Sequence, residues 1–275
     1  MEEIACLKRK AIEIRKSLLT MIYEARTGHT GGSLSNTDIL TVLYYKIMNI
    51  DPNNPNWEDR DRYVQSKGHS VESLWAILAD KGFFPKEELK TFSKFNSRLI
   101  GHPNNKVPGI EMNTGALGHG LPISVGMALA AKMDGKSYRV YTLMGDGEQA
   151  EGSVWEGAMA ASQYKLDNLT AIIDRNRLQI TNNTEDVMGL EPLGDKWRSF
   201  GWEVVEVDGN DVEEVVNVLS APKTPGKPTL ILANTVKGKG ISFAENQVGW
   251  HHRVPTEEEY NSAMDELSKQ LEVLV

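Results

Sequence analysis

Cysteine is almost absent: Cys6 stands alone in 275 residues. One thiol excludes an internal disulfide and any site built on several cysteines. Set on a helical pattern, it reads as a small apolar residue. Long apolar runs are missing too. No stretch approaches the ~18 residues that a membrane-spanning helix needs, and the N-terminal MEEIACLKRK has no apolar signal core. The expected setting is the cytoplasm, without a membrane partner. Positive charge is scarce, with 30 Lys and Arg against 38 Asp and Glu and a net charge of −8. That balance argues against nucleic acid as a partner. A chain this acidic can handle phosphates only by concentrating cations locally or by using a metal. Internal repeats and low-complexity segments are also lacking.

What remains is an ordinary globular composition, 40% hydrophobic and 25% charged, with enough length for one large α/β domain or two small ones. The stretch from Arg139 to Leu178 organises it. An apolar run, Val140 to Met144, ends in Gly145-Asp146-Gly147; a helical run spans Ser153 to Tyr164; a second apolar run, Leu169 to Ile173, ends in Asp174-Arg175-Asn176. Strand, turn, helix and strand make a βαβ unit, and ligands of open parallel sheets bind at the carboxyl ends of the strands. Asp146 and Asn176, thirty residues apart, should therefore meet.

Two chemistries compete for that pair. Gly145 to Ala150 fits a dinucleotide fingerprint. Yet Asp146, Glu148 and Glu151 would repel a bare pyrophosphate. A divalent cation resolves the conflict, because magnesium takes a few protein oxygens and completes its shell with phosphate oxygens and water. Asp146, the Asn176 amide oxygen and a main-chain carbonyl supply such donors. A metal-bridged diphosphate is favoured over NAD on charge and spacing. A capped Gly-Asp-Gly turn is the plain structural alternative.

The rest of the chain extends the alternation. Residues 4–22 carry apolar positions at helical spacing and stop at Gly28-His29-Thr30-Gly31-Gly32, read as a loop that admits a ligand. Ser35 and Asp38 suggest a capping box for a helix bearing Ile39, Leu40, Leu43 and Ile47. Val64 to Ser66 suggests a short strand, followed by Lys67-Gly68-His69-Ser70, an anion seat at a helix start. Helices are expected from Pro85 to Phe95, Leu121 to Lys132 and Val212 to Leu219. Strands are expected at Trp202 to Val207 and Thr229 to Thr235. Thr256 with Glu259 should cap a final helix. The expected fold is an open, mostly parallel sheet with helices on both faces, as a single domain over residues 1–275.

Six histidines flank glycine, proline or another histidine: His29, His69, His102, His119, His251 and His252. Imidazoles so placed suit phosphate contacts and proton transfer. A zinc cluster is the alternative, but no accompanying H-E-x-x-H or C-x-x-C spacing supports it.

The sequence resembles the amino-terminal, diphosphate-binding part of transketolase, a thiamine-diphosphate family. GDG followed about thirty residues later by Asn is its signature. GHTGGSLS at 28–35, DRYVQSKGHS at 61–70, IGHP at 100–103, TGALGHGL at 114–121, GDGEQAEGSVWE at 145–156 and KGKGISFAENQVGWHH at 237–252 lie in the family's order. The resemblance implies thiamine diphosphate and a divalent metal (magnesium, with calcium or manganese as substitutes) held by Asp146, Asn176 and the carbonyl of Leu178. It implies that His69 and His251 contact the diphosphate and that the Gly147 backbone does so too. Gly115 and Leu117 would lie against the cofactor. His29 and His102 would face the donor hydroxyls and reacting carbonyl. Glu151 would join a carboxylate network between two active sites, or merely favour a helix start. His119, His252 and Thr181-Asn182-Asn183 depart from the common pattern, where Gln, Gly and an Asp-Gly turn are usual. The turn and His252 bear on donor preference more than on the chemistry.

Transketolases with both halves in one chain are more than twice as long. The half that grips the aminopyrimidine and clamps the sugar phosphate is not found here. The resemblance thus implies the N-terminal subunit of a split transketolase, working on sugar phosphates with a second polypeptide, two copies of each. Alternatives are a subunit of a 2-oxo acid decarboxylase or dehydrogenase, a deoxyxylulose-phosphate-synthase-like enzyme, and a non-catalytic scaffold. The sugars and the pathway, pentose phosphate or specialised, stay open.

Overall fold

The computed structural model describes residues 2–274. The helices are α1 (Glu2–Ala25), α2 (Thr30–Ser35), α3 (Thr37–Val42), α4 (Glu72–Lys81), α5 (Gly120–Met133), α6 (Gly152–Gln163), α7 (Thr184–Val187), α8 (Leu193–Ser199), α9 (Val212–Ser220) and α10 (Glu257–Val273). The strands are β1 (Arg62–Gln65), β2 (Val140–Gly145), β3 (Leu169–Arg175), β4 (Glu203–Asp208) and β5 (Thr229–Asn234). They form one open sheet in the order β1-β2-β3-β5-β4, with every pairing parallel.

Strand side chains alternate between two cores. Tyr141, Leu143, Ile172 and Ile231 join a core packed against α1, α3, α4 and α9. Val140, Met144, Ala171, Ile173, Leu230 and Leu232 join another, packed against α5, α6 and α8. A parallel sheet covered on both faces needs near-continuous apolar strands. β3, in the middle, is buried at all seven positions. Each fully buried Leu or Ile contributes ~1.5–3 kcal/mol. The hydrophobic effect therefore fixes which strands are central and where their carboxyl ends lie.

Most expected elements are present within a residue or two, including both arms of the expected capping box at α10. There Thr256 Oγ1 accepts from Glu259 N at 3.2 Å, and Glu259 Oε2 accepts from Thr256 N at 2.9 Å. Three expectations fail. Residues 30–35 are helical rather than loop. Ser35 and Asp38 cap nothing. Ser35 donates to Asp174 at 2.6 Å, and Asp38 takes both guanidinium nitrogens of Arg15 at 2.6 and 2.9 Å. Buried partners from distant sequence outcompete the local cap. From Pro85 only a 3-10 stretch forms, Lys86–Thr91. Ser93 and Asn96 then adopt φ of 54° and 63°, values that an α-helix does not contain.

Candidate active site

Gly145 on β2 stands opposite Asp174 on β3, so both strands deliver their next residues to the same edge. Asp146 and Asn176 emerge there into a cavity of about 490 Å3 that Leu178, Lys237, Gly115 and Leu117 also line. Asp146 accepts from Gly147 N at 2.8 Å, Arg177 N at 2.5 Å and Arg175 Nη1 at 3.3 Å. Asn176 Oδ1 accepts from Leu178 N at 3.2 Å. Burial and the neighbouring Asp174 push the Asp146 carboxyl up, against the pull of Arg175 and its backbone donors. A buried acid so placed calls for more positive charge. One cation already answers: Lys237 Nζ sits 3.0 Å from the Leu178 carbonyl. One carboxylate, one amide oxygen and one carbonyl suit a hard divalent ion and leave room for ligand oxygens. The donor set fits.

Two lysines that the motif reading passed over supply local positive charge. Lys67, following β1, is buried and pairs with the fully buried Asp174. Asp174 also accepts from Ser35 and Thr235. Lys237 follows β5; burial and then Lys67 lower its ammonium to about 8, against Asp146 and Asp174. The hint was compositional. An acidic chain with a phosphate site must place lysines somewhere, and Lys67 and Lys237 each adjoin a glycine after a strand.

Five histidines converge here. The His29 ring lies 4.5 Å from His252, 5.2 Å from His69, 5.7 Å from His251 and 6.4 Å from His102, centroid to centroid. His69 and His251 stack at 5.3 Å. His119 stands apart, exposed, with Nδ1 3.0 Å from the Leu117 carbonyl. Among the described residues, no group of three or more His, Cys, Asp or Glu is placed to hold a metal ion. Burial first, then like charge nearby, lowers His29 to about 4, His69 to about 2 and His251 to about 3. Burial also lowers His102. The four rings are neutral at pH 7, each with one N–H donor and one acceptor.

Second-line acids hold the loops in place. Buried Glu72 accepts from His29 N at 2.8 Å and Ser33 Oγ at 2.6 Å, which fixes the His29 turn. Glu148 accepts from Gly118 N at 2.8 Å, Gly145 N at 3.0 Å and Ser66 Oγ, which clamps the Gly115–Gly120 loop to the strand ends. Trp75 Nε1 donates to the Ile100 carbonyl at 2.9 Å and steadies the His102 loop. Gly115 has φ of 152° and backs onto the His102 ring, 3.0 Å from where a Cβ would sit. Gly147 lines the cavity, whereas Glu151 is exposed and outside it. Sequence patterns carried no sign of Glu72, and they showed Glu148 only as a loop acid and not as a clamp; the partners of the two lie up to 43 and 82 residues away.

The depressed imidazoles make a pH prediction. Below about pH 6.5 the unfolded chain takes up protons that the folded His29 and His69 refuse. Their contribution to stability is full above that pH and falls as the pH drops toward the folded values. Imidazole NMR signals should show both rings neutral at pH 5.5. Titration of both rings near 6.5 would contradict the enclosed geometry.

The family model described as "Transketolase, thiamine diphosphate binding domain" matches residues 7–270. The chain is 51% identical to an apulose-4-phosphate transketolase subunit of Phocaeicola vulgatus, over 99% of this chain and 97% of that one. It is 46% identical to the 6-deoxy-6-sulfo-D-fructose transketolase subunit SqwG of a Clostridium species, over 96% and 97%. A solved transketolase from Campylobacter jejuni superposes with a TM-score of 0.90 at 33% identity, covering 95% of this chain and 42% of that one.

Proposed function

Because this chain belongs to the transketolase family, through its thiamine diphosphate-binding domain, we propose that it is the N-terminal subunit of a two-chain transketolase that moves a two-carbon ketol unit from a ketose phosphate to an aldose phosphate. One observation carries the reading: Asp146, Asn176 and Leu178 line one cavity with two buried lysines and with His29, His69 and His251 at the carboxyl edge of the sheet. Residues 1–275 act as one diphosphate-binding module.

Asp146, Asn176 and the Leu178 carbonyl would hold magnesium, or calcium or manganese in its place. The Gly147 backbone, His69 and His251 would bind the diphosphate, and Lys237 and Lys67 would offset its charge. Gly115 and Leu117, which line the cavity, would lie against the cofactor. Thiamine diphosphate supplies the nucleophilic carbon and the electron sink for carbon–carbon cleavage. His29 and His102 face the donor, hold its hydroxyls and take or return a proton at the reacting oxygen. Exposed Glu151 is free to meet a carboxylate across a subunit interface.

Support for a second chain comes from coverage. Relatives named as subunits are spanned over 97% of their length. Human transketolase, at 39% identity, is spanned over 40%. The partner carries the aminopyrimidine and sugar-phosphate grips, with two copies of each chain in the assembly. No helix among the described residues is long and apolar enough to cross a membrane, and we place the assembly in the cytoplasm. The subunit-named relatives name different sugars, so the donor is to be chosen by assay.

Each chain alone, and the mixture, should be assayed with thiamine diphosphate and magnesium. The donors are xylulose 5-phosphate, apulose 4-phosphate and 6-deoxy-6-sulfofructose. Ketol transfer only in the mixture is the expected result. Full turnover by this chain alone would refute the two-chain reading. Turnover with pyruvate and no ketose would move the protein to 2-oxo acid chemistry.

A further inference from the structure

His252 is the histidine of this cluster to which the proposed chemistry gives no task. It is exposed, yet its ring lies 4.5 Å from that of His29, closer than any other imidazole of the cluster. The backbone on either side is pinned. Trp250 is buried, and its carbonyl lies 2.7 Å from where a Cβ on Gly31 would sit. Thr30 Oγ1 donates to the Arg253 carbonyl at 2.6 Å. The Arg253 guanidinium stacks 4.5 Å over the Trp250 ring and pairs with Glu259 at 2.5 Å. The loop that carries His252 is thus fastened to the loop that carries His29, one residue from each imidazole. Two rings held so closely act as one surface.

The groups facing His29 are His69, His102, His251, Lys67 and Lys237, with Glu72 beneath its backbone N–H. His252 adds to the lowering of His29. No hydrogen bond occupies either ring nitrogen of His252 among the described residues. A ring whose nitrogens have no protein partner is open to a sugar hydroxyl, which both donates and accepts.

We propose that His252 is a specificity-determining residue: packed on His29, which lines the cavity, it reads the hydroxyl pattern of the sugar donor. This rests on the ketol-transfer reading. A donor with a hydroxyl at the matching carbon gains a hydrogen bond, and one that lacks it leaves the exposed ring to water, so the discrimination is that of one solvent-facing hydrogen bond.

The test uses the assembled two-chain enzyme with magnesium and thiamine diphosphate. His252→Gly and His252→Asn are compared with wild type on the three donors above. For His252→Gly, kcat/KM is expected to fall by up to about tenfold for the preferred donor, mainly through KM, and far less for the poorest. The ranking narrows, and His252→Asn restores part of it. Donor affinity measured by calorimetry should follow the same order, while cofactor affinity and Tm stay unchanged. Equal loss on all donors, or none, overturns the proposal while leaving the ketol-transfer reading intact. No turnover of any ketose by the wild-type assembly overturns both.

Discussion

Asp146→Ala should reduce ketol transfer by the reconstituted enzyme at least ~10³-fold, a loss of about 4 kcal/mol. The reason lies in what the carboxylate holds. Asp146 is the sole carboxylate in the proposed donor set and is nearly fully buried. Its removal takes the charged ligand from the metal and frees the Arg177 N–H and one Arg175 contact. Arg175 keeps Glu185 at 2.9 Å and Glu191 at 2.8 Å, so the variant should fold. The measurement is therefore twofold: turnover, and the rise in Tm on adding magnesium with thiamine diphosphate. Wild type should gain stability from binding, and the variant should gain little. An active Asp146→Ala enzyme with an intact metal-dependent shift would remove Asp146 from the site.

Asp174→Ala should cost about 3–5 kcal/mol of folding stability, because it strands a buried cation. Asp174 is fully buried and neutralises Lys67, whose side chain is 3% exposed. It also satisfies Ser35 and Thr235. Truncation leaves the ammonium without its counter-charge and the Thr235 hydroxyl without its acceptor, while Ser35 Oγ keeps the Gly32 carbonyl at 3.0 Å. For a chain of this size the midpoint should fall by roughly 10 °C. Urea unfolding of single and double variants separates the causes. Lys67→Met with Asp174→Leu should recover most of the loss, since replacing both members of a buried pair is often near neutral. The same double variant should still bind the cofactor weakly, because Lys67 is also cavity wall. A loss below 1 kcal/mol for Asp174→Ala would mean that water reaches Lys67.

Fold and site differ in how far they were legible. Continuous apolar runs and the Gly-Asp-Gly turn located β2, β3 and the sheet edge that carries Asp146 and Asn176. Those signals are local, and they follow from periodicity and turn chemistry. The same local logic misread Ser35 and Asp38, whose partners, Asp174 and Arg15, lie 139 and 23 residues away. It also carried the Pro85 helix past residues whose backbone turns left-handed. In each case a buried or strained arrangement outweighed a preference worth about 1 kcal/mol.

Residue type and short spacing were enough for the sheet and for the glycine turns at its strand ends, and the resemblance of the motifs was enough for the family. They were not enough for the groups that complete the site. It takes the folded chain to make Lys67 and Lys237 the buried cations of the cavity, to lock the loops with Glu72 and Glu148, and to rest His252 on His29 while His119 stays outside the cluster. Those facts depend on which distant groups share a low-dielectric interior, where an unpaired charge is costly. That condition exists only after the strands are in register.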